Sequence, residues 1–364
     1  MLGDRLKLAR KKAGYTLRGL SVALDGEVSA QAIGKYERSE MKPRPGMLPR
    51  LAKTLDVPLT FFLSDRVEKL EGIEFRKLSN TTAKDRARVE AEVIEYLQRY
   101  LNIEDVLDID GSAWNVPECG NRWLYHEEEG EDLANCLRHE WNLGCDPIPN
   151  MTSLLEDQGL KVIMLPLPNR VSGLMASVHR ASHHRTVPVI VVNLNSTLER
   201  RRLTLAHELA HQLIHPDSKV DHEKASNIFA GALLVPETHL VRRSGKHRNA
   251  LGYREIIQSK RLYRVSAVAF LMRLRQLEII AKSTLTRALS TYARTWRSRE
   301  PEPIEVKGEE GMHEVPLRFE RLCYWALAEQ FISPVKACEL LQCSLSEAVK
   351  GLKGPKALNA VCSE

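Results

Sequence analysis

Residues 207–211 read His-Glu-Leu-Ala-His, and this spacing constrains the chain more than any other stretch. On an α-helix, positions i and i+4 share one face, about 6 Å apart along the axis. The imidazoles of His207 and His211 can then reach a single zinc ion at about 2.0–2.1 Å. Glu208 lies about 100° around the helix, beside that ion, where it can take a proton from water. The five residues fix only three identities, so their setting matters. Leu203, Ala206, Ala210 and Leu213 give the helix an apolar side to bury. The competing reading is a helix with surface histidines and no metal.

A catalytic zinc needs a third protein ligand and one open position. His215 is near in sequence, but on a continuous helix it stands about 12 Å along the axis from His207. That distance assigns it to capping or packing before Pro216. Asp221 and His222 become candidates if the loop turns sharply. Glu223 starts a second amphipathic helix running to Pro236, from which a carboxylate can face back across to the first. Glu223 is the favoured third ligand.

The two helices, 197–215 and 223–235, follow three strand-like runs at 160–165, 171–178 and 187–194. Pro166, Pro168 and Asn169 separate the first two, and a His-rich stretch at 181–185 separates the last two. Helices with Leu133, Leu137 and Trp141, and at 151–158, come before them. The run Glu127-Glu128-Glu129 reads as a solvated face or the first turn of a helix. Upstream, a charged helix at 81–107 carries Val89, Val93, Ile94 and Leu97 on one side, and 108–130 has the composition of a linker.

Residues 1–63 have a different pattern: five short helices. Leu2, Leu6 and Ala9 lie on the first, Thr16 and Ser29 can cap the next two, and Leu48, Leu51 and Leu55 lie on the fourth. The stretch 17–38 has the shape of a helix-turn-helix, with Leu20, Ala23, Val28, Ile33 and Tyr36 turned inward. Ser29, Gln31, Ala32 and Lys35 fall on the outward face of the recognition helix, where base edges of duplex DNA are met. Gln31 suits adenine. Ser29 or Lys35 can reach base or phosphate, and Arg18, Arg38 and Lys42 are phosphate contacts. Charge agrees, because residues 1–70 hold 14 Lys+Arg and 8 Asp+Glu, a net +6, while the other 294 residues sum to zero. The alternative is a helical bundle that keeps this fold and binds protein.

The whole chain has 364 residues, room for two or three cores. No run of about 18 apolar residues exists, which excludes a helical membrane span, and the N-terminus has no signal core. Seven cysteines form no CxxC pair, and an odd count fits poorly with a disulfide framework. A reducing cytoplasm is the expectation. There are no internal repeats. Residues 251–364 are helical in pattern, broken by Arg-Glu-Pro-Glu-Pro at 299–303. Ser333 to Ala348 suggests one more helix, turn and helix, read as a packing or dimer-forming bundle in preference to a second DNA-binding element, with Cys338 and Cys343 in its core.

Two family resemblances rest on these residues. The blocks 154–163, 188–193, 201–215 and 223–236, in that order, resemble the ImmA/IrrE family of metallopeptidases: a strand ending in Asn193, an Arg-rich lead into HELxH, and a Glu before an Ala-Asn-x-Phe-Ala-x-x-Leu-Leu-x-Pro segment. This chain departs with Ala225-Ser226-Asn227 where Gln-Ala-Asn is commoner, and with Val235 where Met is usual; neither position is a ligand. The resemblance covers about 130–240 and makes Glu223 the third ligand of one Zn2+ ion. It implies a small α+β core with a short sheet beside the zinc helix, and a peptide substrate. An exposed edge strand can hold such a peptide, and His179 is a candidate to stabilise the oxyanion. Residues 1–63 resemble the Xre (Cro/CI-type) family in Gln-Ala-Ile-x-Lys-Tyr-Glu and Leu-Ala-x-x-Leu-x-Val-Pro. Residues 262–277 resemble the helices that follow the peptidase core in fused members.

The expected architecture is mainly α with a small α+β zincin-like core. It comprises an N-terminal five-helix domain (1–66), a connecting helix and linker (67–129), a metallopeptidase domain (130–245) and a C-terminal helical region (246–364). The expected function is a transcriptional regulator that binds a DNA operator, as a homodimer if the operator is palindromic. Its zinc endopeptidase would cut a repressor or antitoxin, or its own linker, after a stress or mobile-element signal. The rival is a non-cleaving DNA-binding repressor or antitoxin whose peptidase-like domain is a sensor. An intact Glu208 argues against that rival, because a sensor can keep the ligands and lose the base.

Overall fold

The computed structural model describes residues 2–63, 67–71, 82–109, 114, 116–168, 171–180, 185–306, 308–309 and 311–354. In chain order the elements begin with α1 (Leu2–Lys12), α2 (Leu17–Ala23), α3 (Ala30–Glu37), α4 (Met47–Thr54), α5 (Thr60–Leu63), β1 (Val67–Glu71) and α6 (Ala83–Val106). Next come α7 (Glu129–Glu140), α8 (Met151–Asp157), β2 (Lys161–Leu165), β3 (Gly173–Arg180), β4 (Arg185–Asn193), α9 (Leu198–Leu213) and α10 (His222–Leu234). The chain continues with α11 (Glu237–Ser244), α12 (Tyr253–Tyr263), α13 (Ala267–Gln276), α14 (Lys282–Ser290), α15 (Arg318–Ala328), α16 (Pro334–Leu341) and α17 (Leu345–Lys353). It is mainly helical with a small sheet, and no helix among the described residues is long and apolar enough to cross a membrane.

The chain divides into two compact units, one of Met1–Ala113, Ala176–Pro188 and Pro316–Glu364, the other of Trp114–Met175 and Val189–Val315. In the first, the Thr16 and Ser29 hydroxyls cap α2 and α3 by accepting from the Gly19 and Ala32 amides. Leu6, Ala9, Leu20, Val28, Ile33, Tyr36 and Leu51 are buried. Ala23 is exposed, contrary to expectation. Leu20 and Leu24, one turn apart, form the buried edge of α2 instead. Arg10 grips the Glu37 carboxylate through Nε at 2.5 Å and Nη2 at 2.9 Å, and donates to the Tyr15 carbonyl. This ties α1 to the end of α3.

Helix α6 buries Val89, Val93, Ile94 and Leu97 and packs along α1 and against α15 and α16. At its C-terminal end Tyr100 and Ile103 join Phe319, Leu322, Cys323 and Ala326 in one apolar cluster. Among the described cysteines, Cys323 is the buried one. Cys338, within α16, and Cys343, just past its C-cap Gln342, are expected in the core but are half-buried. The six described cysteines are free thiols. Helices α16 and α17 form the expected helix, turn and helix, with Gln342 at φ +53° in the turn and a Ser344–Glu347 capping box opening α17.

The second unit is built around α9. Strands β2 and β4 pair in parallel, Lys161 opposite Val189 through Leu165 opposite Asn193. Val189 to Val192 are buried, as a short parallel strand covered on both faces requires. The unit boundary falls within β3 and β4. Asn193 ends β4: its Oδ1 accepts from the Leu167 and Asn195 amides, and its Nδ2 donates to the Leu167 and Val171 carbonyls. Four bonds satisfy this buried amide and turn the chain into α9, which Thr197 caps. Leu205, Ala206, Leu209, Ala210 and Leu213 are buried, while Leu203 is partly buried.

The stretch from 116 to 124, read from composition as linker, is held against this core. The Arg122 amide donates to the Leu213 carbonyl, the His215 amide donates to the Arg122 carbonyl, and Leu124 is buried. Proline and glycine there serve a tight surface path, not freedom. The unit also continues past 245 to Val315. The irregular stretch after α14 sends three carboxylates back: Glu305 to Arg201, Glu314 to Arg202, and Glu300 to Lys260, which also meets Glu199.

Candidate metal centre

Helices α9 and α10 meet at the start of α10. Asp221 caps α10 by accepting from the Lys224 amide, and α7 lies closely against it. A Cβ on Gly130 of α7 would stand 2.6 Å from the Ala225 carbonyl oxygen, so only glycine allows this approach. Lys224 pairs with Glu127 at 3.2 Å, which gives part of the acidic run a partner; Glu129 is the first residue of α7.

This packing brings Glu223 over the i, i+4 face of α9. The Nε2 atoms of His207 and His211 are 3.1 Å apart. The Glu223 carboxylate lies 3.3 Å from His207 Nε2 and 3.6 Å from His211 Nε2. Among the described residues, these three side chains form the group whose ligand atoms could hold a metal ion. Four ligands at about 2.0–2.1 Å around tetrahedral zinc stand roughly 3.3 Å apart, and the three observed separations bracket that value. The donor set of two imidazole nitrogens and one carboxylate fits zinc. Glu208, beside His207 on α9, is buried with 4% of its surface exposed.

One more residue completes the arrangement. Asn227 lies one turn after Glu223 on α10. Its Oδ1 is 3.3 Å from His207 Nδ1, and its Nδ2 donates to the Glu223 carbonyl at 2.8 Å. An acceptor at Nδ1 places the imidazole proton there and leaves the Nε2 lone pair for a metal. Sequence reading gives Asn227 no role of its own; the signal was its i+4 distance from Glu223.

The other candidates point elsewhere. Helix α9 ends at Leu213, and Ile214 is extended. His215 stacks on Trp123 with ring centroids 4.0 Å apart, and its Nδ1 accepts from the Asp217 amide. His222 bonds the Ser218 carbonyl at 3.1 Å, and Asp221 is the helix cap. The side chain of His179, like the His-rich stretch at 181–184, lies outside the described residues.

In the first unit, Arg18, Ser29, Gln31, Lys35, Arg38 and Lys42 are exposed and Ala32 is half-buried. Two of these side chains already have partners. The Ser29 hydroxyl caps the Ala32 amide at 3.2 Å. Arg38 binds Glu40 through Nε at 2.6 Å and Nη2 at 3.0 Å.

Comparison with protein families agrees with both units. Residues 155–275 match the family model of the IrrE N-terminal-like domain, a peptidase family, and residues 6–62 match that of the helix-turn-helix. No curated protein and no solved structure matches the chain. The chain carries a DNA-binding type of domain followed by a metallopeptidase type of domain.

Proposed function

We propose that this helix-turn-helix protein is a transcriptional regulator whose IrrE-like domain is a zinc endopeptidase, with His207, His211 and Glu223 as ligands. Its substrate is a repressor or antitoxin protein, or its own chain. The observation that carries this reading is the convergence of two imidazoles and a carboxylate beside the buried Glu208. A zinc ion held there supplies a Lewis acid for the scissile carbonyl and an activated water. Glu208 takes the proton of the attacking water and hands it to the leaving amine. Asn227 holds the His207 ring in its ligand tautomer. Arg18, Ser29, Gln31, Ala32, Lys35, Arg38 and Lys42 form the DNA face, on a homodimer when the operator is palindromic. The peptidase domain takes in α11 to α14 and the stretch to 315, beyond the boundary at 245 drawn from pattern.

Incubation of the zinc-loaded protein with the products of adjacent genes tests this. A defined fragment is expected, and Glu208→Gln is expected to abolish it while zinc content stays at one ion. Equal cleavage by that variant, or protein that neither contains nor takes up a transition metal, overturns the enzyme reading. Operator binding without cleavage under any condition favours the non-cleaving sensor.

A further inference from the structure

The zero net charge of residues 71–364 conceals a strong segregation. Residues 238–299 hold 15 Lys+Arg and only 2 Asp+Glu, a net +13. The positive excess is thus not confined to the first 70 residues. Six of the fifteen have carboxylate partners: Arg248, Lys260, Arg261, Arg264, Arg273 and Arg275. The others are on α11 and the loop after it (Arg242, Arg243, Lys246), on α12 (Arg254), on α14 (Lys282, Arg287) and just beyond (Arg294, Arg297, Arg299). All nine are exposed, and none has a carboxylate partner among the described residues.

The fold brings these stretches together within the second unit. The Arg248 amide donates to the Ile279 carbonyl at 2.7 Å, so the loop after α11 lies against the start of α14. The Thr284 hydroxyl reaches the Asn249 carbonyl at 3.5 Å. Tyr253, at the start of α12, meets the ring of Trp296 at 6.0 Å, which places Arg254 beside the segment of Arg294 and Arg297. Tyr253 and Tyr292 are half exposed among the cations. The acidic residue at the border, Glu302, is held by Arg261 and Tyr253. Unpaired like charges on neighbouring segments repel one another, so a polyanion is the partner that relieves them.

We propose that this face of the peptidase-bearing unit, formed by α11, α12, α14 and the segment to Arg299, binds the phosphate backbone of duplex DNA. It is separate from the α3 face and reads no sequence. Duplex DNA is favoured over an acidic protein or a lipid surface because the same chain carries a helix-turn-helix, a domain of the DNA-binding type. Arginines and lysines on several short segments also suit a line of phosphates better than one pocket does.

The test uses the full-length protein and a random-sequence duplex of about 40 base pairs, titrated by fluorescence anisotropy at several salt concentrations. Each phosphate contact contributes about 0.9 to the slope of log K against log salt. Replacing Lys246, Arg254, Arg294 and Arg297 together by alanine is expected to lower that slope by up to roughly 3.6 and the affinity by at least about tenfold at physiological salt. Replacing the three arginines by lysine is expected to preserve both. Lys35→Ala on α3 is expected to add its own loss without removing this one. An unchanged slope in the alanine variant overturns the proposal, as does an equal loss in the lysine variant. It is also overturned if the alanine variant loses binding to polyglutamate or to phosphatidylserine vesicles while its duplex affinity stays the same.

Discussion

The Oδ1 of Asn227 stands 3.3 Å from Nδ1 of His207, while the Nδ2 of the same amide donates to the backbone carbonyl of Glu223. One side chain thereby sets a ring on α9 and is itself set by α10. Removal of such outer partners of metal-ligating histidines typically costs about 10–100-fold in metal affinity or activity. Asn227→Ala should weaken zinc binding by a factor in that range in a chelator-competition titration and leave the helical circular dichroism intact. Unaltered zinc affinity would show that the ring needs no partner.

Arg201 donates to Glu305 at 2.8 and 2.6 Å, and to the Ser196 and His313 carbonyls, with both side chains at most 2% exposed. Breaking a buried pair from one side leaves an uncompensated charge and costs about 3–5 kcal/mol. Glu305→Ala should lower the stability of the second unit by that amount in urea denaturation. A double change to Arg201→Met with Glu305→Leu should recover much of the loss. A Glu305→Ala protein as stable as the parent would mean that the strap is decorative.

The same pair has a pH signature. Burial pushes the Glu305 carboxyl up, but hydrogen bonds and charge from Arg201, with the His313 and Gly311 amides, outweigh it and hold the group below its usual 4.5. A carboxyl lowered on folding stabilises the protein above its unfolded pKa, and that contribution is lost as pH falls through the folded value. Stability measured from about pH 7 to about pH 3 should fall at the acid end, and Glu305→Gln, less stable throughout, should fall less. Parallel curves for the two proteins would remove Glu305 as a cause of acid sensitivity.

The cluster of His207, His211 and Glu223 was legible because it is local. The two histidines differ by one helical turn, and Glu223 lies in the first turn of the next helix. The Arg-rich lead into the motif was visible, but its meaning was not. Glu305 and Glu314 lie 104 and 112 residues downstream of Arg201 and Arg202, and no periodicity connects them. Ala23 was misplaced for a smaller reason: helical spacing admits both Ala23 and Leu24 after Leu20, and the larger apolar side chain takes the core. The tract from 116 to 124 read as linker because its amides bond the Glu140 carboxylate, the Leu213 carbonyl and the Ser218 hydroxyl, long-range partners that composition does not report.

On α3 the structure separates residues with similar sequence claims on DNA. Gln31 and Lys35 are exposed. Gln31→Ala should cost about 1–3 kcal/mol of operator preference and relax the choice of base at one adenine. Lys35→Ala should weaken all duplexes alike and reduce the salt slope by about 1. Ser29→Ala should act chiefly on folding, by about 1 kcal/mol, because its hydroxyl caps the Ala32 amide. Arg38 shares its charge with Glu40, so Glu40→Gln should strengthen duplex binding at low salt by freeing a guanidinium for phosphate. Anisotropy titrations of the four variants against operator and scrambled duplex distinguish these outcomes. Weaker binding by Glu40→Gln would place Arg38 outside the interface.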